Sequence, residues 1–247
     1  MEGVHLRNIK LIIEYDGTDF AGWQIQPGCR TVQQTIEQAL NALFSEQIRL
    51  VASGRTDAGV HALGQVANFH VETSLTLQEI KGALNSLLPD DVVIHQVEEV
   101  PLGFHSRFDA KWRTYRYRLA RRKKAVGRDY LWYVKYKLDV GDLRRACRSL
   151  IGTHDFSSFS VADHKGGNHI CQVFDCKWEE EGEELYFEIR ANRFLHHMVR
   201  TIVGTMVDVG RGRIKPQQVE DILAARDRSK AGTTAPARGL CLVEVGY

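Results

Sequence analysis

Residues 9–44, IKLIIEYDGTDFAGWQIQPGCRTVQQTIEQALNALF, contain the first elements that decide the fold. The apolar run at residues 9–15 predicts a strand that ends in a turn at Asp16 and Gly17. Beyond residue 31, apolar side chains recur at intervals of three and four, which predicts an amphipathic helix. These side chains are Val32, Ile36, Leu40, Leu43 and Phe44.

The first half of the chain continues with three more strands and a second helix. Apolar runs at residues 48–53 and 64–71 predict two strands. Thr76 and Glu79 form a capping-box pair, which predicts the start of a helix, and residues 91–97 predict a further strand. The resulting order, β-α-β-β-α-β, is typical of the ferredoxin-like fold.

The second half repeats this order of elements without obvious sequence identity. Strands are predicted at residues 111–119, 170–178, 184–191 and 240–245, and helices at 139–151, 194–209 and 216–225. We therefore predict an α+β protein of two ferredoxin-like, RRM-like domains, at residues 1–104 and 105–247. Their antiparallel sheets are expected to lie side by side with a central cleft between them.

The charge of the chain is distributed unevenly between these halves. The whole chain has 247 residues and a net charge of +2. Residues 1–104 contain 6 basic and 13 acidic side chains, whereas residues 105–247 contain 27 basic and 18 acidic ones. Such an asymmetry indicates contact with nucleic acid through the second half. Five scattered cysteines and the lack of a long apolar run favour a cytoplasmic protein without a membrane segment.

The densest motif is SGRTDAGVHA at residues 53–62. Two glycines bracket Arg55 and Asp57, so the backbone can turn tightly and hold the carboxylate outward. Arg55 is close enough in sequence to reach that carboxylate and orient it. The alternative is a tight turn with a local ion pair, and the residues alone do not choose between the two interpretations.

A basic and aromatic strand, KWRTYRYR, follows at residues 111–118. Alternation places Arg116 and Arg118 on one face and Tyr115 and Tyr117 on the other. Aromatic and basic side chains in this pattern suit base stacking and phosphate contact. Residues 105–128 contain 10 basic side chains and 1 acidic one. The alternative is a solvated charged hairpin with an aromatic core face.

A third segment, NRFLHHMVR at residues 192–200, is predicted to open a helix. Arg193, His197 and Arg200 are spaced by four and three, so they are expected to share one basic face at a helix N-terminus, which suits an anion. The alternative is a core helix with a polar edge.

Metal and nucleotide-cofactor sites are not predicted. Cys171 and Cys176 are expected on one strand, facing opposite sides, which argues against a zinc site. No phosphate loop or dinucleotide-binding motif occurs, so no cofactor is expected.

Several segments together resemble the tRNA pseudouridine synthase A family. They are YDGTDFAGWQIQ at 15–26, GRTDAGVHA at 54–62, RTYRY at 113–117, GTHDFSSF at 152–159, FLHHMVRTIVGTMVDVGRG at 194–212 and APARGLCL at 235–242. The resemblance implies a cofactor-independent isomerase that converts uridine to pseudouridine at positions 38, 39 and 40 of the tRNA anticodon stem-loop. It also implies a homodimer in which each tRNA contacts both subunits.

The resemblance further implies roles for individual residues. The nucleophile of the family falls on Asp57, its active-site tyrosine on Tyr115, the arginine of the aspartate motif on Arg55 and a basic partner on Arg200. From the residues we add a predicted substrate-contacting set, which consists of Tyr115, Arg116, Arg118, Arg193 and His197. Residues 161–169 have no motif that aligns with the family.

Two other functional classes fit parts of the sequence. A non-catalytic module of two RRM-like domains would explain the basic strand and the topology, but not the bracketed Asp57 loop. A carboxylate-dependent nucleic-acid hydrolase would need a second acidic residue, and Asp16 is the only candidate within the motifs.

Overall fold

The computed structural model describes residues 5–161 and 167–247, so part of the 161–169 segment lies outside the described residues. The chain forms two compact units, Met1–Lys111 with Leu242–Tyr247, and Trp112–Cys241. The division into domains 1–104 and 105–247 stays a prediction, because the compactness of a unit does not test independent folding. Among the described residues, no helix has the length and apolarity that crossing a membrane requires.

The first unit is built on an antiparallel sheet with two helices. Its strands are β1 (His5–Tyr15), β2 (Val51–Ala52), β3 (His61–Thr73) and β4 (Val92–Val100), and its helices are α1 (Val32–Phe44) and α2 (Leu77–Leu87). The strand order is β4-β1-β3, and β2 pairs with β3. The apolar face predicted for α1 is largely confirmed, because Val32, Ile36 and Leu40 are fully buried. Of the strand predicted at residues 48–53, only the two residues of β2 are extended in the sheet.

The second unit also combines an antiparallel sheet with helices. Its strands are β5 (Trp112–Ala120), β6 (Trp132–Tyr133), β7 (Gly152–Asp155), β8 (Ile170–Glu181) and β9 (Glu184–Ala191), and its helices are α3 (Val140–Cys147), α4 (Met198–Gly210) and α5 (Gln218–Ala225). The strand order is β5-β9-β8-β7, with β6 parallel to β5. The last strand, β10 (Leu240–Gly246), begins with the last two residues of the second unit and continues through residues 242–246 of the first. The α+β class is therefore confirmed.

The expectation that Cys171 and Cys176 face opposite sides of their strand is wrong. The register of β8 against β9 shifts between Val173 and Asp175, where one extra residue is accommodated as a bulge. This extra residue moves Cys176 onto the buried face that Cys171 also occupies, and both thiols are buried. Burial raises the pKa of the Cys171 thiol to about 11.

Cross-strand ion pairs neutralise much of the basic strand. Arg116 pairs with Glu188 at 2.8 Å, and Arg118 pairs with Glu184 at 2.9 Å. Lys124 also contacts the Glu184 carboxylate. In the same way, Arg121 pairs with Glu180 at 2.6 Å. The positive charge counted in the sequence is thus partly balanced by acidic side chains of β8 and β9.

The two helix caps of the first unit give a stability prediction. At α2, Thr76 Oγ1 accepts a hydrogen bond from Glu79 N and donates one to Glu79 Oε2. At α1, the buried Oγ1 of Thr31 has no hydrogen-bond partner among the described residues. We expect Thr76→Val to lower the free energy of unfolding by about 1 kcal/mol, and the matched Thr31→Val to leave it unchanged or raise it. Urea unfolding measures both, and equal losses would contradict the cap assignment.

Glu184 gives a second prediction, on acid stability. Its burial by itself raises the pKa, but hydrogen bonds from Lys124, Arg118 and Tyr186 outweigh burial and lower the pKa to about 2, from an ordinary value of 4.5. A lowered native pKa stabilises the fold above pH 4.5, and this stabilisation disappears as the pH falls from 4.5 towards 2. Relative to Glu184→Gln, the wild type should lose up to about 3 kcal/mol of stability over that range.

The control for this prediction is Glu183→Gln, which removes an exposed neighbouring carboxylate. Urea unfolding at a series of pH values should show the same pH dependence for this variant as for the wild type. A Glu184→Gln variant with the wild-type pH dependence would show that the ion pairs contribute nothing to the stability of the second unit.

Candidate active site

The Asp57 loop connects β2 to β3 in the first unit. Asp57 is half-buried, whereas Arg55 is exposed to solvent. The expected ion pair between them is not formed, and Arg55 makes no ion pair within residues 5–161 and 167–247. An exposed guanidinium loses little by staying in water, which explains why the local pair does not form. Arg55 is therefore not what orients Asp57.

The orientation of the loop comes instead from residues 15–23, which comprise the last residue of β1 and the segment after it. The hydroxyl groups of Tyr15 and Thr56 are hydrogen-bonded at 2.7 Å in a buried position. Trp23 N donates to Thr56 O at 3.0 Å, and Gly59 N donates to Phe20 O at 3.3 Å. The backbone is thus fixed on both sides of Asp57 by one neighbouring segment.

Two glycines make this close approach possible. A Cβ atom at Gly17 would lie 2.0 Å from Val60 O, which is far inside van der Waals contact. Gly22 has a φ of 95°, and a Cβ there would lie 2.8 Å from Thr56 O. Glycine is needed at both positions, since the backbone of one segment packs directly on the backbone of the other.

The start of the loop is held by a buried glutamine. Ser53 Oγ donates to Gln65 Oε1 at 2.7 Å, and Gln65 Nε2 donates to Gly54 O at 2.9 Å. Gln65 is fully buried on β3. The start of the Asp57 loop is therefore connected to β3, and the backbone on both sides of Asp57 is connected to residues 15–23.

Asp16 closes a turn rather than presenting a second catalytic carboxylate. Its Oδ1 accepts hydrogen bonds from Thr18 N at 3.0 Å and from Thr18 Oγ1 at 2.6 Å. This side-chain-to-backbone pattern is typical of an aspartate in a turn. The arrangement weakens the hydrolase alternative, which needed Asp16 as a second acidic group.

Tyr115 lies on β5 in the second unit and is 9% exposed. Its ring meets the ring of Phe194 edge-to-face, with centroids 5.1 Å apart. The contact holds the tyrosine ring in one orientation. Sequence patterns do not reveal this ring contact, because Phe194 follows a different strand. Phe194 does, however, lie in the FLHH segment quoted above.

Tyr117 shares the buried face of β5 with Tyr115, as alternation predicts, but it has a different role. Its hydroxyl donates to Pro236 O at 2.7 Å, and a Cβ at Gly239 would lie 2.5 Å from its ring. Burial raises the pKa of Tyr117 far above its usual value, more than the charges of Arg200 and Arg238 lower it. Tyr117 is therefore a structural residue.

Arg200 lies in the first turn of α4 and is tied to the segment that precedes β10. Its Nε donates to Ala235 O at 2.8 Å, and Ala235 N donates to Arg200 O at 3.0 Å. Further along the helix, a Cβ at Gly204 would lie 1.7 Å from Thr233 O. The segment therefore packs on the helix backbone and holds the guanidinium in place.

The predicted shared helical face of Arg193, His197 and Arg200 is wrong. Helix α4 begins at Met198, and His197 adopts a left-handed backbone with a φ of 62°. A helix cannot continue through that conformation, so Arg193 and His197 precede it. Arg193 is exposed and His197 is half-buried.

Comparison with known proteins identifies the family. The sequence profile described as tRNA pseudouridine synthase matches residues 11–109 and 146–247. The tRNA pseudouridine synthase A of Thermoanaerobacter sp. strain X514 is 43% identical over 244 residues, which are 98% of this chain and 100% of that protein. The proteins with the same name from Acetivibrio thermocellus and Caldicellulosiruptor bescii are 44% and 45% identical over the same shares. The chain therefore belongs to the tRNA pseudouridine synthase family, whose members are isomerases.

Proposed function

We propose that the protein converts uridine to pseudouridine at positions 38, 39 and 40 of the tRNA anticodon stem-loop, with Asp57 as the nucleophile. Family membership supports the reaction. The observation that carries the assignment of Asp57 is the fixed backbone around it, where residues 15–23 hold Thr56 and Gly59. A carboxylate on a fully supported loop is preorganised for chemistry at a defined atom.

The reaction breaks the N1–C1′ bond of uridine and forms a C5–C1′ bond. The proton on C5 leaves and N1 gains one, so the product is an isomer of the substrate. Attack of Asp57 on C1′, attack on C6 of the ring, and assisted elimination to a glycal all satisfy this balance. Each route requires water to be kept from C1′ once the base is detached, since hydrolysis at that carbon would compete.

The other proposed residues act around this carboxylate. Tyr115, with its ring held by Phe194, stacks on the uracil and takes the proton from C5. Arg200, held by Ala235, supplies the positive charge that accompanies the Asp57 carboxylate in the reaction. Arg55 is exposed and forms no ion pair within the described residues, so we assign it to the space that the target base leaves in the stem.

The proposed architecture is a homodimer of chains that each contain two RRM-like domains with their sheets side by side. The order β4-β1-β3-β2 in the first unit supports a ferredoxin-like topology. The proposed partner is the anticodon arm of tRNA, with no cofactor, and the proposed location is the cytoplasm, where tRNA is modified.

The ion pairs of the second unit separate its basic side chains into those that are paired with glutamates and those that are exposed for contact with RNA. Arg116 and Arg118 are engaged by Glu188 and Glu184, so they position their strand more than they neutralise phosphate. Arg193 and His197 stay in the proposed substrate-contacting set, although they do not share a helical face. Exposed cations next to the strand, Arg122 and Lys123, take over the phosphate contact.

Replacement of the nucleophile tests the proposal directly. Asp57→Asn should bind unmodified tRNA within about threefold of the wild type, while tritium release from [5-³H]uridine-labelled tRNA falls at least about 1,000-fold. Asp90→Asn, which changes an exposed carboxylate in the turn after α2, serves as the control and should keep wild-type release. Near-wild-type release by Asp57→Asn would refute the nucleophile assignment.

The two tyrosines of β5 form a matched pair for a second test. Tyr115→Phe should bind tRNA normally and stall before the C5 proton is released. Tyr117→Phe should keep tritium release and instead lose about 1 kcal/mol of stability, because its bond to Pro236 O disappears. Full activity of Tyr115→Phe would exclude its role as the base.

The salt dependence of binding tests the phosphate contacts. Substituting Arg122 and Lys123 with Gln should weaken tRNA binding. It should also lower the slope of log Kd against log salt concentration by about 0.7 to 0.9 for each lost contact. Substituting Arg116 and Arg118 with Gln should change that slope less. If the second pair changes the slope more than the first, the paired arginines are the ones that contact phosphate.

A further inference from the structure

The segment FHSRFDA at residues 104–110 presents an exposed aromatic ring from the first unit. Phe108 is 74% exposed, the largest exposure of any aromatic side chain among the described residues. Exposing one phenyl ring is not unusual by itself. The support beneath this ring is unusual, however, because buried polar groups fix the loop that carries it.

The support is a pair of buried asparagines. Asn68 Oδ1 accepts hydrogen bonds from Ser106 N at 2.9 Å and from Ser106 Oγ at 2.8 Å. Asn68 Nδ2 donates to Asn8 Oδ1 at 2.9 Å, and Asn8 Nδ2 donates to Phe104 O at 2.9 Å. Asn8, Asn68 and Ser106 are almost completely buried, so these bonds are sheltered from water.

The C-terminal residue adds a second support to the same loop. Tyr247 Oη donates to Ser106 O at 2.7 Å, and the rings of Tyr247 and Phe104 lie 4.9 Å apart. The backbone on the N-terminal side of Phe108 is therefore held from both the sheet and the C-terminus. The loop presents Phe108 at a defined position rather than on a flexible chain.

His105 fixes the ring itself. Its Nδ1 accepts hydrogen bonds from Arg107 N at 3.2 Å and from Phe108 N at 3.3 Å, while its own backbone N donates to Asp109 Oδ2 at 2.8 Å. The imidazole lies 4.3 Å from the Phe108 ring with an interplanar angle of 31°. The guanidinium of Arg107 lies 5.6 Å from the ring centroid.

We propose that Phe108 is a stacking platform for an unpaired or flipped base of the bound tRNA, with Arg107 next to the phosphate of that nucleotide. This proposal rests on the proposed function, because it takes tRNA as the ligand. Aromatic rings bind bases of any sequence through their faces, and an adjacent arginine adds charge attraction to the backbone. The site would give the first unit its own RNA contact.

The surroundings of Phe108 favour RNA over a protein partner. His105 and Arg107 lie next to the ring, and the charged residues Asp109 and Lys111 follow it in the sequence. Protein interfaces bury roughly 800 Å² per partner around a core that is depleted of charge. A single ring beside a cation fits one nucleotide better than it fits the core of such an interface.

The test compares three variants in tRNA binding and in pseudouridine formation. Phe108→Ala should raise the Kd for unmodified tRNA about tenfold at every salt concentration, with the slope against salt unchanged, because stacking releases no counterions. Phe108→Trp should bind within about twofold of the wild type. Leu102→Ala, which trims an exposed aliphatic side chain earlier in the same unit, should leave the Kd unchanged. Thermal unfolding should be the same for all four proteins.

Three results would overturn the assignment of Phe108 as a stacking platform. A wild-type Kd for Phe108→Ala overturns it, and so does an equal loss for Leu102→Ala, which would indicate a general apolar patch. A changed sedimentation coefficient for Phe108→Ala with an unchanged Kd would assign the ring to a protein contact and overturn the proposal as well. If the wild type binds tRNA but forms no pseudouridine, the proposed function fails, whereas the Phe108 comparison still reports on binding.

Discussion

The contact between residues 15–23 and the Asp57 loop is the constraint on which the proposed chemistry depends. Gly17 and Gly22 let two backbones meet where a Cβ atom would not fit. The position of Asp57 is therefore set by main-chain contacts and by the buried bond between Tyr15 and Thr56. An arrangement of this kind tolerates little movement, which suits a nucleophile that must reach one atom of a base.

In the second unit, close packing of two backbones at a glycine likewise positions a side chain, that of Arg200. The chain before β10 packs on the backbone of α4 at Gly204, and this contact accompanies the bonds that join Arg200 to Ala235. Tyr117 anchors the continuation of that segment at Pro236. The motifs that look separate in sequence, on α4 and near the C-terminus, are thus one structural assembly.

Sequence patterns predicted the elements better than their details. The period of α1, the capping box of α2 and the strand β9 could be identified because each depends on neighbouring residues. The bulge in β8 and the left-handed His197 could not, because tertiary packing decides them. The charge count of residues 105–128 overestimated the positive charge available to RNA, because the glutamates that neutralise Arg116 and Arg118 lie on another strand. The Asp57 loop was identifiable by its motif, whereas its support by residues 15–23 required the structure.

The most direct measurement is to incubate the purified protein with unmodified tRNA transcripts and map every pseudouridine by chemical labelling and primer extension. We predict pseudouridine at positions 38, 39 or 40, wherever a uridine occurs there, in intact tRNA. Binding without modification would favour the RNA-binding module, and cleavage would favour the hydrolase. Either result, or pseudouridine confined to other positions, would contradict the proposed activity.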